Sequence, residues 1–282
     1  MAALQVLRPK QPRRGLILSA WTDDDPPKWA VQAVENQQKY AQRWGYEFRF
    51  DRVDRAMLGG ATTTTYTWSK VYSLKKALME PNWRFIFLID ADSIFCDFNR
   101  SLEDLFRKRR PLIATGDQND LFNTGHLFVK PNPDTRLFVN RWWSLHSLQW
   151  PTLPTTHQDR NAGLVNDQVA FNYLVAGGGP TQPRVSADGL RLFNRTNGYR
   201  GNPTRAFKKF HKWFAPTAKW RTVCARMLLS RKSRKLLGIV TQQRLNWYPN
   251  QGASLTTRHP ILHYPGDLKS RLSADLEKMS SW

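Results

Sequence analysis

Arg84 to Asp92, RFIFLIDAD, is the most strand-like stretch of the chain, and its reading decides the fold. Phe85-Ile86-Phe87-Leu88-Ile89 runs without a polar break. A strand apolar on both faces belongs in the middle of a largely parallel sheet covered by helices. On its N-terminal side, GLILSAW (Gly15 to Trp21) predicts a first strand and DDDPP a turn behind it. Trp29 to Trp44 carries a helical apolar pattern that ends at Gly45, and YEFRF (Tyr46 to Phe50) alternates as a second strand. Trp68 to Met79 reads as a second helix, stopped before Pro81. On the C-terminal side, Pro111 to Thr115 and His126 to Lys130 supply strands. Thr135 to Trp150 and Asn166 to Ala176 supply helices, the latter with Asn166 as N-cap. Alternating strands and helices make a doubly wound α/β layout.

In such sheets ligands sit beyond the carboxyl ends of the strands, which points to the residues after Ile89. Asp90-Ala91-Asp92 lies there. Two carboxylates one residue apart on an extended chain project to the same side and repel. A divalent cation shared with a diphosphate removes that cost, and oxygen ligands of this kind suit Mn²⁺ or Mg²⁺.

The segment FIFLIDADSIF resembles the metal-binding D-x-D stretch of glycosyltransferases with the GT-A fold, which use nucleotide-diphosphate sugars. WSKVYSLKKAL (Trp68 to Leu78) looks like the helix before that strand in glycosyltransferase family 34, the galactosyl-, xylosyl- and mannosyltransferase group. ENQQKYAQRWGYEFRF (Glu35 to Phe50) is similar to that group's first helix and second strand. Asn123-Thr124-Gly125 is similar to its acceptor-side N-x-G turn. Asn166-Asp167-Gln168 resembles the D-Q pair of the retaining members of families 8 and 34. His263 to Lys269, HYPGDLK, fits the H-x-x-G-x-x-K closing motif of the glycogenin-like family 8.

The resemblance implies a GT-A (Rossmann-like), doubly wound mixed sheet flanked by helices. It implies a single domain over 15–282 behind a basic tail at 1–14, with a basic helical insert at about 200–250 that has no recognisable counterpart. Asp90, Asp92 and His263 would ligate Mn²⁺ or Mg²⁺. Ala20, Trp21, Thr22, Lys70, Asp90, Ala91, Gly266 and Lys269 would bind the donor nucleotide. Asp117, Asn123 and Gly125 would contact donor or acceptor sugar, and Asp167 and Gln168 would be catalytic. The implied activity moves a hexose or pentose from a UDP- or GDP-sugar to a glycan or lipid-linked acceptor, with retention. Taken singly these residues have plainer readings. Lys70 and Lys269 alone are surface lysines, His263 alone a structural histidine, and Asp167 alone an acid favoured by a helix N-terminus. Asp23-Asp24-Asp25 reads as a solvated turn capping the next helix, and Trp142-Trp143 as core packing.

Composition bounds the alternatives. In 282 residues, 40% hydrophobic content and 12 tryptophans supply a core and exclude wholesale disorder. Cys96 and Cys224 are too few for a disulfide framework and read as reduced thiols of a cytosolic protein. No run of 18 apolar residues encodes a membrane span, and the N-terminus lacks a secretory h-region, so a cytoplasmic location is expected. The net charge of +21 demands an anionic partner. No acid occurs between Asp188 and Asp267, and 200–244 interleaves Lys and Arg with Trp, Phe and Leu. That composition fits contact with an anionic membrane surface at its inner face, or a helix with solvated charges. A basic nucleic-acid-binding protein is the alternative from another class, although no RRM, KH, zinc-finger or basic-zipper signature accompanies the charge.

Overall fold

The computed structural model describes residues 15–22, 25–59, 65–81, 83–106, 110–116, 122–146, 166–175, 235–240, 248 and 260–279. The apolar run is confirmed as the strand β3 (Ile86–Ile89), every residue of it buried. It lies third in a six-stranded sheet. β1 (Leu16–Thr22) and β2 (Glu47–Val53) lie on one side of it, and β6 (Phe122–Val129), β5 (Leu112–Gly116) and β7 (Leu237–Val240) on the other.

The pleat sorts side chains between two cores. Leu16, Leu18, Ile86, Leu88, Leu112, Ala114, Leu127 and Val129 face one way, against Val71, Leu74 and Leu78 of α2 (Ser69–Met79). Ile17, Phe87, Ile89, Ile113 and Phe128 face the other, against Tyr40 and Ala41 of α1 (Lys28–Trp44). This strict alternation across adjacent strands is the period of two expected of a sheet covered on both faces.

The sheet is more mixed than a largely parallel one. β1 runs parallel to β2 and β3, and β5 parallel to β7, but β6 is antiparallel to both β3 and β5. The linker between β5 and β6, residues 117–121, is too short for the crossover a parallel pair requires, so β6 returns antiparallel beside β5. Strand β7 falls within the stretch expected to be a helical insert, and it forms the outer edge of the sheet.

Helix boundaries follow local chemistry. α1 ends at Gly45, whose φ of 65° is left-handed, as the sequence predicts. Its N-cap is Pro27, with no side-chain bond, so the expected capping by the acidic turn is not seen at Asp25. Asp25 is exposed and pairs with Arg52 at 3.2 Å instead; Asp23 and Asp24 lie outside the described residues. α4 (Pro133–Trp143) starts earlier than its apolar pattern, because Asn132 and Thr135 form a reciprocal capping box. Trp142 is fully buried in the core, as expected. α5 (Asp167–Val175) matches its predicted span closely.

A second, two-stranded sheet joins β4 (Ser93–Phe95) to β8 (Ile261–His263). Behind it α6 (Lys269–Met279) packs on α1, with Leu272, Leu262, Ile94 and Ala33 in one cluster. α3 (Leu102–Leu105) is a single turn capped by Ser101.

Candidate functional site

The site grows from the loop where β3 gives way to β4. Gln37 on α1 is fully buried and donates to the carbonyls of Asp90 (3.0 Å) and Ser93 (2.8 Å). Asn36 bonds both the carbonyl and the amide of Phe95. Two polar residues on the buried face of a helix thus tie down both flanks of Asp90-Ala91-Asp92. β8 then delivers His263: Ser93 and His263 are partners across the antiparallel ladder, and Tyr264 N donates to the Asp92 carbonyl at 2.9 Å. A residue remote in sequence is so fixed beside the acids.

His263 Nε2 lies 3.0 Å from Asp92 Oδ1 and 3.7 Å from Asp90 Oδ2. One ligand atom from each of Asp90, Asp92 and His263 falls within 4.8 Å of the others. Asp92 Oδ1 is buried and, among the described residues, accepts no hydrogen bond of good geometry despite its proximity to the imidazole. A buried oxygen left in that condition, beside two further ligand-type atoms, fits a hard or borderline divalent cation such as Mn²⁺ or Mg²⁺. The residues present therefore suit the metal that the sequence implied.

Cations flank the acids on both sides. Lys70 Nζ, at the start of α2, reaches Asp90 Oδ1 at 2.9 Å and Asp167 Oδ2 at 3.2 Å. Lys269 Nζ lies 3.4 Å from Asp92 Oδ2 and 5.1 Å from the centre of the Trp29 ring. Burial pushes the Asp92 carboxyl up, but His263, then Lys269 and Lys70, pull it down to about 2. Burial dominates at Asp90 and raises it against the pull of Lys70. At His263 burial works downward, yet Asp92 and Asp90 hold the imidazole above its usual value. Lys70 is likewise held above its usual range by Asp167 and Asp90, against burial. Lys70 is thus no surface lysine: it is the shared cation of two acids on different elements.

Asn123-Thr124-Gly125, expected as a turn, lies within the first half of β6 as strand, and it ties these parts together. Asp90 N donates to the Gly125 carbonyl at 2.8 Å. Thr124 Oγ1 donates to Asp167 Oδ2 at 2.7 Å, and Thr124 N to Gln168 Oε1 at 3.2 Å. Gly125 is required by close approach: a Cβ there would sit 2.8 Å from Asp90 Oδ2, 2.8 Å from Asn123 Oδ1 and 3.0 Å from His263 Cε1. Gly266 has φ +59°, a left-handed backbone that disfavours any other residue.

These groups border a cavity of about 650 Å³ at the carboxyl ends of β1 and β3. Ala20, Trp21 and Thr22 line it, as do Lys70, Asp90, Ala91, Asp92, Asn123, Gln168, His263, Gly266 and Lys269. Of the two residues expected to be catalytic, Gln168 is on the wall. Asp167 is 3% exposed and lies behind it, with Trp142 Nε1 donating to its carbonyl at 2.8 Å. Gly125 touches the acids without lining the cavity, and Asp117 lies outside the described residues.

Sequence reasoning missed Trp29, Arg55, Tyr66 and Tyr248 on the wall. Trp29 packs edge-to-face on Trp21 at 5.8 Å. Its place in the first turn of α1, after an acidic turn, was the available clue. Tyr248 lies near the end of the insert expected at about 200–250 and carried no signal.

Comparison with known proteins bears on the fold. Residues 16–119 match the galactosyl transferase GMA12/MNN10 family. No curated protein matches the sequence. Among solved structures, a glycosyltransferase involved in the glycosylation of the major capsid of PBCV-1 aligns over 95% of this chain and 99% of its own. Its TM-score is 0.55 at 13% identity, which establishes a shared fold. The galactosyltransferase LgtC, in complex with donor and acceptor sugar analogs, aligns at TM-score 0.41 and 12% identity over 94% of this chain and 95% of its own. GlyE of Streptococcus pneumoniae TIGR4 aligns at 0.44 and 12%, over 95% of this chain and 63% of its own. The fold is that of the GT-A glycosyltransferases.

Proposed function

We propose that this chain, a glycosyltransferase by its family match over residues 16–119 and its GT-A architecture, is a metal-dependent enzyme that transfers a hexose or pentose from a UDP- or GDP-sugar with retention. The acceptor is a glycan or a lipid-linked sugar. One observation carries the reading: Asp90, Asp92 and His263 converge on one point inside a cavity that Lys70 and Lys269 flank.

Breaking the bond between sugar and diphosphate leaves negative charge on the phosphate, and stabilising that charge is the main chemical task. Mn²⁺ or Mg²⁺ held by Asp90, Asp92 and His263 would supply Lewis-acid stabilisation of the departing phosphate. The chain's own groups do the rest. Lys269, steadied by Asp92 and by the face of Trp29, offers a point charge to the same phosphate. Gly266 holds its turn open to the cavity. Trp21 and Trp29 form an aromatic wall beside Ala20 and Thr22 and exclude water from the nucleotide end. Gln168 presents its amide to the sugar, its orientation set by the Thr124 amide. Asp167 orders Lys70 and, through Thr124, the start of β6. Retention draws its support from this D-Q pair and its likeness to that of retaining families.

The test is hydrolysis of a panel of UDP- and GDP-sugars with Mn²⁺, with Mg²⁺ and with EDTA. Turnover should need the cation and fall about 100-fold in Asp92→Ala. NMR of the released sugar should show the donor's anomeric configuration. Activity untouched by EDTA and by Asp92→Ala would rule the metal assignment out.

The proposal extends to residues 200–244, most of which lie outside the described residues. Their basic and aromatic content suits an anionic lipid surface at the inner face of a membrane, or a phosphorylated acceptor. Co-sedimentation with anionic but not neutral vesicles at low salt checks it.

A further inference from the structure

Tyr248 enters the cavity wall from a stretch outside every motif that marks the family resemblance. The chain that carries it is anchored upstream by β7 at the sheet edge and downstream by β8 beside the acids. The residue is 8% exposed. Its hydroxyl accepts a hydrogen bond from Asn123 Nδ2 at 2.9 Å, while Asn123 Oδ1 accepts from Gly125 N at 2.7 Å. Both ends of one amide are thereby held. Without such partners an amide flips and exchanges a donor for an acceptor at the same place. The Tyr248 ring also packs edge-on against the His263 imidazole, with centroids 5.6 Å apart and planes at 62°. His126 meets the same imidazole at 5.3 Å and 89°. Tyr248 is thus one of two aromatic neighbours that bear on the His263 ring, alongside its contact with Asp92 at 3.0 Å.

We propose that Tyr248 is a positioning residue of the transfer reaction. Its hydroxyl fixes which face of the Asn123 amide meets the sugar, and its ring fixes the plane in which His263 offers a nitrogen to the cation. The inference rests on the function proposed above and deepens it: one side chain links the metal side of the site to the sugar side. It also gives the segment between β7 and β8 a part in the site that charge alone does not suggest.

The two contacts separate by substitution in the full chain. Tyr248→Phe keeps the ring and removes the hydroxyl. Its Mn²⁺ affinity, measured by calorimetry, should stay within about twofold of native, while kcat/KM for donor hydrolysis falls up to about tenfold. Tyr248→Leu removes the ring as well, and Mn²⁺ binding should weaken about tenfold, as for partners that orient a ligand. In a cycle with Asn123→Ala, the effect of Tyr248→Phe should vanish, because the hydroxyl acts through that amide. Melting curves accompany each variant. Variants that differ from native only in melting temperature or active fraction, with native KM and Mn²⁺ affinity, overturn the inference, and so does an additive cycle. A native protein that binds no Mn²⁺ and hydrolyses no nucleotide sugar overturns the underlying function and this inference with it.

Discussion

Gly125→Ala puts the smallest possible perturbation at the centre of the site. The added methyl carbon would lie 2.8 Å from Asp90 Oδ2, 2.8 Å from Asn123 Oδ1 and 3.0 Å from His263 Cε1. Comfortable contact needs roughly 3.5 Å, so these groups must retreat by about 0.5–0.7 Å between them. None can do so freely. Asp90 is held by Lys70, the Asn123 amide by Tyr248 and the Gly125 amide, and His263 by β8. Overpacking of this kind costs about 1–3 kcal/mol. At about 2–4 °C per kcal/mol for a domain near this size, the protein remains folded at room temperature. Function suffers more than stability, because a displacement approaching 1 Å among catalytic groups costs up to ~100-fold. Gly238→Ala is the control. Its methyl group would meet Arg110 Cβ at 3.0 Å and Cγ at 3.1 Å, on the edge strand away from the cavity. Donor hydrolysis, Mn²⁺ calorimetry and thermal melts on both variants complete the comparison. Gly125→Ala should lose turnover and metal affinity while melting only slightly early, and Gly238→Ala should keep both. A folded Gly125→Ala protein with native kcat/KM and native Mn²⁺ affinity would refute the placement of the site.

Two other outcomes follow from charges buried in the fold. Lys70→Met leaves Asp90 and Asp167 facing one another without their shared cation, with side chains 23% and 4% exposed; denaturant melts at pH 7 should show a loss of about 3 kcal/mol. The loss should shrink as acid protonates the stranded carboxyls, and an equal loss at all pH values would contradict the pairing. Tyr40, Tyr46 and Tyr264 are all raised above the usual phenol value, chiefly by burial and then by neighbouring ionisable groups, Glu103 and Asp275 foremost for the last two. A raised phenol pKa adds stability that is complete below pH ~10 and lost as pH climbs toward the folded value. Absorbance at 295 nm should therefore show at least three of the eight tyrosines ionising only with alkaline unfolding, and reversible titration of all eight beforehand would count against it.

Much of the central layout could be read from local pattern. The Phe85 to Ile89 run, the Gly45 stop and the 3.6-residue period of Trp68 to Met79 are strong signals, and the elements they predict are present. β4, β7 and β8 are as short as β3 but lack its uninterrupted five-residue apolar run, so no local pattern announced them. That concealed the reason His263 sits where it does, since only the β4–β8 ladder brings it to Asp92. The predicted strands left ten residues between Thr115 and His126, whereas β6 starts four residues earlier and leaves five, and the apolar content of β3 says nothing about the direction of its neighbours. The site residues were legible as spelled motifs. Their mutual roles were not: Lys70 looks like any lysine near a helix start until Asp90 and Asp167 close on it from separate elements. Tyr248 is one aromatic among many, and only tertiary structure sets it between Asn123 and His263.

Mn²⁺ binding to the purified chain, followed by loss of the free-ion electron paramagnetic resonance signal, tests most directly whether distant elements build one cation site. The native protein should take up a single ion, and Asp92→Asn and His263→Ala should each lose it while retaining native circular dichroism. Undiminished uptake in both variants would show that these side chains do not share a metal.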